Sequence, residues 1–269
     1  MSDTTQGPGW WLASDGRWYP PHLAPGAADG SWAGPGPGWD PYRTAPSTVS
    51  PQLALALRIV FWIMVGVSAI RLLMALVGWI AYASFHGDPS RSSYDRWRTV
   101  DGVTNAWGLL VTLTALALLV LVIVWSWQAH RTVTDLGARP SWRIGWTIGA
   151  WFACCAAIIL PKLVLDAIEK GALAPRHGGR VTARWDVRPT AAIGWVWWVA
   201  LVGSFVRFTY STNDARRDAL TDSGFITSAY VVAVLAAICA IVAALAGRAY
   251  FQRMSDRLTP AGLDAHRED

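Results

Sequence analysis

Charge is scarce in this chain. Only 15% of its 269 residues are Asp, Glu, Lys or Arg, against 53% hydrophobic; ordinary soluble domains carry roughly 25% charged residues. That is too little to wrap one large core. The apolar residues are gathered into five long blocks, so the sequence predicts an integral membrane protein and excludes a soluble enzyme or a disordered chain. Cysteine is scarce too. Cys154, Cys155 and Cys239 are the three, all in apolar blocks, and adjacent cysteines rarely bridge because a disulfide needs separated Cα atoms. They read as small buried hydrophobes, which excludes a disulfide-stapled module. No histidine lies inside an apolar block, so a zinc site would have no partner at the same depth. Gly-x-Ser-x-Gly, His-Glu-x-x-His and a Gly-Lys-Thr phosphate loop are all absent. No catalytic residue, metal or cofactor is therefore expected, and the chain is read as a non-enzyme.

The net charge is +5, with 21 arginines and two lysines. These basic residues are scattered through short loops, where a membrane protein needs them. No nucleic-acid partner is expected. Met1-Ser-Asp-Thr-Thr5 has no basic stretch followed by an apolar one and is not expected to be a signal peptide.

Residues 1–50 form a leader rich in Gly, Pro and Trp, too poor in aliphatics to build a core. Five of the 18 tryptophans lie in it. Asp15-Gly16 is a tight-turn dipeptide, and Trp11 and Trp18 flank it and are expected to stack across a small hairpin. Trp10, Trp11, Asp15, Gly16, Trp18 and Tyr19 are the candidate docking residues for a protein partner. A looser copy follows at Asp29-Gly-Ser-Trp32.

The apolar blocks run over about 53–85, 105–128, 142–161, 191–208 and 225–247, within a membrane domain of 53–250 followed by a charged tail, 251–269. The predicted fold class is all-α: a polytopic transmembrane bundle of four or five spans, a disordered amino-terminal tail and one amphipathic helix, 163–173, along the membrane surface. Trp62 and Trp79 are 17 residues apart, roughly 25 Å along a helix, which matches two interfacial aromatic belts. The fifth block repeats Ala233, Ala236, Ala237, Ala240, Ala243 and Ala244 at three- and four-residue spacing. Such a face lets helices approach closely, within the bundle first and in a homo-oligomer second.

Two features carry functional expectations. Arg71 falls near the middle of the first block, where a guanidinium is costly; it either faces a protein interior or snorkels to the surface. Pro161 breaks the third block, and Lys162, Asp166 and Glu169 follow at spacings of four and three, on one helix face. That face is either a polar site at the membrane surface or a solvated edge.

Trp142-Arg-Ile-Gly-Trp146, Ala150-Trp-Phe152 and Leu160-Pro-Lys162 with Asp166 four residues on, together with Trp125 to Arg131, are the residues of a recognisable pattern. Over about residues 55–255 the chain resembles the chiefly actinobacterial membrane-protein family called domain of unknown function 4328. It departs from that pattern at Thr147 and Ala153. The leader resembles a short Trp/Pro/Gly segment seen before actinobacterial membrane proteins. The family has no assigned activity, so the resemblance implies architecture alone. The expected role is a non-enzymatic interaction or scaffold component of the bacterial inner membrane, its amino terminus cytoplasmic. The alternative is a small transporter or channel using Arg71 and the Pro161 break.

Basic residues favour the cytoplasmic side. If all five blocks cross, the two sides hold 9 and 13 of them, with the amino terminus outside. If the third block dips in and returns, an inside amino terminus puts 16 in the cytoplasm and 6 outside. The two topologies predict different labelling. With Cys154, Cys155 and Cys239 replaced by alanine, His177→Cys stays protected from an impermeant thiol reagent added outside if the block returns. Labelling from outside would exclude the re-entrant arrangement.

Overall fold

A computed structural model describes residues 10–13, 16–19, 47–177, 180–181, 189–206 and 223–265. It divides into two units, 1–45 and 46–269. In the first, β1 (Trp11–Leu12) pairs antiparallel with β2 (Trp18–Tyr19). Gly16 sits at φ 76, open to a residue without a Cβ. The Ala13 N–H donates to Arg17 O at 3.0 Å, so three residues rather than two lie inside the last hydrogen-bonded pair. That changes the register. Trp11 faces Tyr19, their rings 5.7 Å apart, and Trp18 pairs with Leu12 instead of stacking on Trp11. Asp15 lies outside the described residues.

The second unit is helical. α1 (Pro51–Gly87), α2 (Arg91–Asp135), α3 (Trp146–Gly149), α4 (Leu160–Ala172), α5 (Ala192–Ser204), α6 (Ser223–Leu258) and α7 (Pro260–Ala265) follow one another, with two 3₁₀ turns, Ala150–Phe152 and Cys154–Ile158, between α3 and α4. Pro51 opens α1, where a missing N–H costs nothing. Ser90 caps α2, its hydroxyl accepting the Ser93 N–H at 3.2 Å. Gly137, at φ 94, ends α2, and the Ala138 N–H bonds back to Val133 O at 3.0 Å.

Among the described residues three helices, α1, α2 and α6, are long and apolar enough to cross a membrane, or four spans if the bent third block counts as one, and the chain is a membrane protein. α2 is one unbroken helix of 45 residues; it begins 14 residues before the expected second block. α6 runs on into the expected tail, to Leu258, because Phe251, Met254 and Leu258 are buried. The third block is not one straight helix. The chain bends by 119° between residues 146–152 and 156–172, through Cys154 at φ 50, a left-handed conformation unusual outside glycine. Cys154 is exposed, not a buried hydrophobe. The break therefore falls at residues 153–155. Pro161 does not stop a helix but starts α4, in the first turn, where its ring is tolerated. At 13 residues, α5 is about 20 Å long, shorter than the roughly 30 Å hydrocarbon layer.

Hydrogen bonds fix where the segments end. The Val49 N–H donates to Leu258 O, the Ser50 N–H to Gln128 Oε1, and the Ser47 N–H to Asp135 Oδ2, at 2.9–3.0 Å. After α4 a short hairpin pairs β3 (Arg176–His177) with β4 (Arg180–Val181). The Val181 N–H reaches Leu136 O at 2.9 Å, and Arg176 Nη2 donates to Arg257 O at 3.1 Å. The segment between α2 and the hairpin thus leaves and rejoins the same end of the unit. The start of α1, the ends of α2 and α6, and α4 with its hairpin meet there.

The main core sits at that end: Phe61, Trp125, Ile168, Trp197, Phe251 and Leu258 are among its buried residues. A second cluster, Tyr82, Phe85, Trp97, Ile226 and Tyr230, sits at the other, where Trp97 Nε1 donates to Tyr230 Oη at 2.9 Å. Between them α6 presents the buried face of Ala236, Ala237, Ala240, Ala243 and Ala244, which permits close approach to α1 and α5. Gly247 marks the tightest point. A Cβ there would lie 2.6 Å from the Trp197 ring and 2.7 Å from Phe61. Gly247→Ala should cost about 1–3 kcal/mol by overpacking. Gly66→Ala, in open space on α1, should be neutral or gain up to about 1 kcal/mol of helix propensity. Thermal unfolding in detergent, followed by tryptophan fluorescence, compares the two.

Candidate functional site

The 3.6-residue repeat puts Lys162, Asp166 and Glu169 on one face of α4. Tertiary packing turns that face inward: their relative exposures are 0%, 9% and 2%. It is not a solvated edge. Lys162 Nζ donates to Asp166 Oδ1, forming a buried ion pair one helical turn long. The ammonium also lies 4.7 Å from the centroid of the Trp195 ring and 5.7 Å from that of Tyr250, within cation–π range.

Glu169 completes the arrangement from the next turn. Its Oε1 accepts the Ala191 N–H at 2.7 Å, at the entry to α5. Its Oε2 accepts the Tyr250 hydroxyl at 3.0 Å, from α6. Gly194 makes room for this meeting: a Cβ there would lie 2.7 Å from the Tyr250 ring and 3.2 Å from Lys162 Nζ. Burial pushes the Asp166 and Glu169 carboxyls above the ordinary carboxylate value; Lys162 opposes the shift at Asp166, and the Ala191 N–H and the Tyr250 hydroxyl oppose it at Glu169. Every charged group of the cluster has a partner within it, so the arrangement fastens α4 to α5 and α6.

The sequence marks the three α4 residues but not Tyr250, Trp195, Gly194 or the Ala191 N–H. A phenol just past an apolar block was a usable signal, because a buried tyrosine hydroxyl normally finds a partner. Its partner lies 81 positions away, beyond the reach of spacing rules. Pro161 contributes by opening the helix. Arg71 is not among the contacts of the cluster: it sits half-buried on α1, one turn after the fully buried Ser68 and near Val67, whose carbonyl accepts Trp107 Nε1 at 2.9 Å. The non-helical backbone before α4 is also tied down, since Trp198 Nε1 donates to Ile158 O at 2.8 Å. Irregular backbone at membrane depth requires such protein partners. Among the described residues, no group of three or more His, Cys, Asp or Glu could hold a metal ion.

Residues 88–256 match the model of a protein family described as a domain of unknown function (DUF4328). Comparisons with curated proteins and with solved structures each find no match.

Lys162→Met leaves the Asp166 carboxylate buried without its cation and should cost about 3–5 kcal/mol of stability. The double variant Lys162→Met/Asp166→Leu, which removes both charges, should recover most of that loss. Melting temperatures of the detergent-solubilised variants measure both.

Proposed function

The chain belongs to the DUF4328 family, and we propose that it is a non-enzymatic interaction or scaffold component of the bacterial inner membrane, with its leader as the docking element. One observation carries the reading. The leader is not featureless: β1 and β2 pair around Gly16 and hold Trp11 against Tyr19, an aromatic face on a two-stranded unit of its own. Isolated hairpins of this size are marginal in water and gain stability when a partner covers their rings. The buried charges of α4, by contrast, are taken up within the protein, Lys162 by Asp166 and Glu169 by the Ala191 N–H and the Tyr250 hydroxyl, which supports a structural role there. The positive-inside rule supports a cytoplasmic amino terminus: Arg58, Arg139, Arg176, Arg248 and Arg257 gather at the end of the helical unit where α1 begins.

The alternative reading, a small transporter or channel, would use Arg71, which α1 holds half-buried within a long span. Pro161 gives it no hinge, because it begins α4.

A photo-crosslinking amino acid in place of the exposed Leu12, in the full chain in its native membrane, tests the proposal. A discrete protein adduct is expected, and Gly16→Val, which strains the positive φ, should abolish it at unchanged protein level. No adduct, or one indifferent to Gly16→Val, rejects the leader as a docking element. Solute flux into liposomes that Arg71→Ala eliminates would select the transporter instead.

A further inference from the structure

One cavity at the end where α1 begins is not used by any interaction described so far. It lies between α1, α6 and α7 and encloses about 410 Å³, within the roughly 300–1,000 Å³ range of ligand pockets. Arg58 of α1 and Arg248 of α6 both line it. The two helices run antiparallel, as the approach of Gly247 to Phe61 and of Gly78 to Tyr230 requires. The arginines therefore stand at the same end of the helical unit and at a common depth. The Arg248 guanidinium lies 4.7 Å from the centroid of the Trp62 ring, and tryptophan favours the membrane–water boundary.

The rest of the lining divides by polarity. Leu55, Phe61 and Phe251 are apolar; Gln252 and Asp256 are polar, and Asp256 is the sole carboxylate. The lining thus carries two guanidinium groups against one carboxylate, and neither arginine has an ion-pair partner among the described residues. Beyond the cavity, Ile59 and Trp62 on α1 and Val242 and Leu245 on α6 are exposed along the spans. Paired cations at boundary depth, above an exposed apolar strip, complement a molecule with an anionic phosphate at one end and hydrocarbon at the other.

We propose that this groove binds an anionic glycerophospholipid, its phosphate between Arg58 and Arg248 and an acyl chain along the exposed faces of α1 and α6. A membrane with anionic headgroups supplies that ligand at the depth the arginines occupy. The site is independent of the role assigned to the leader.

The probe is palmitoyl-oleoyl phosphatidylglycerol added to the full chain in neutral detergent, with phosphatidylcholine of the same chains and soluble glycerol 3-phosphate alongside. Bound lipid is read by native mass spectrometry and stabilisation by the melting temperature. Phosphatidylglycerol should be retained in preference to phosphatidylcholine. Arg58→Gln and Arg248→Gln should each lower that retention about fivefold, the worth of one basic side chain at an anionic surface. Asp256→Asn should raise it. Arg96→Gln/Arg98→Gln, which removes two charges from exposed positions at the opposite end, should leave it unchanged. Arg58 is exposed, so Arg58→Gln decides alone if the Arg248 variant does not fold. Equal retention of the two lipids, an equal loss in the Arg96/Arg98 variant, or equal stabilisation by glycerol 3-phosphate would each overturn the proposal.

Discussion

The inward-facing charges of α4 are the constraint on which the helical unit depends. A buried ammonium and two buried carboxylates are each costly to desolvate, and they persist because none is left without a partner. Lys162 has Asp166; Glu169 bridges the first amide of the α5 entry and the hydroxyl of Tyr250. Those partners lie on three separate segments, so the cluster holds only if α4, α5 and the end of α6 meet. That meeting brings the chain back to the end of α2, where β3 and β4 close the segment against Leu136. Gly194 is part of the same condition, since a side chain there would collide with the Tyr250 ring.

The membrane explains the remaining division of labour. Lipid is as apolar as leucine, so burial of apolar side chains does not drive helices together at mid-depth; close approach of small residues does. The alanine face of α6 meets that need. At the two ends aromatic rings take over, and their polar atoms find partners: Trp125 Nε1 with Ser255 Oγ at 2.8 Å in one cluster, Trp97 Nε1 with Tyr230 Oη in the other. Large apolar residues such as Leu73, Ile80, Leu109 and Val199 are left exposed on the outer faces, where lipid covers them.

Membrane residence and the helical class follow from these features, and family membership from the match over residues 88–256; the biochemical role rests on the proposed docking by the leader. The two proposed contacts draw on different parts of the chain. The leader hairpin offers aromatic rings on a unit separate from the helices, and the Arg58–Arg248 groove offers positive charge over an apolar strip. Neither draws on the α4 cluster, whose polar groups satisfy one another.

The sequence by itself determined what short-range regularities can encode. Blocks of apolar residues marked the helices, three-and-four spacing grouped Lys162 with Asp166 and Glu169 and aligned the alanines of α6, and glycine after aspartate located a hairpin. Periodicity identifies a face without saying what covers it, and so the α4 face could be read as solvated when it is buried. Only tertiary structure decided that Tyr250 would meet Glu169, that the third block would bend at residues 153–155 and return, and that Trp11 would oppose Tyr19. Each of these depends on a distant partner or on one residue of loop length, and such long-range terms leave no period in the chain.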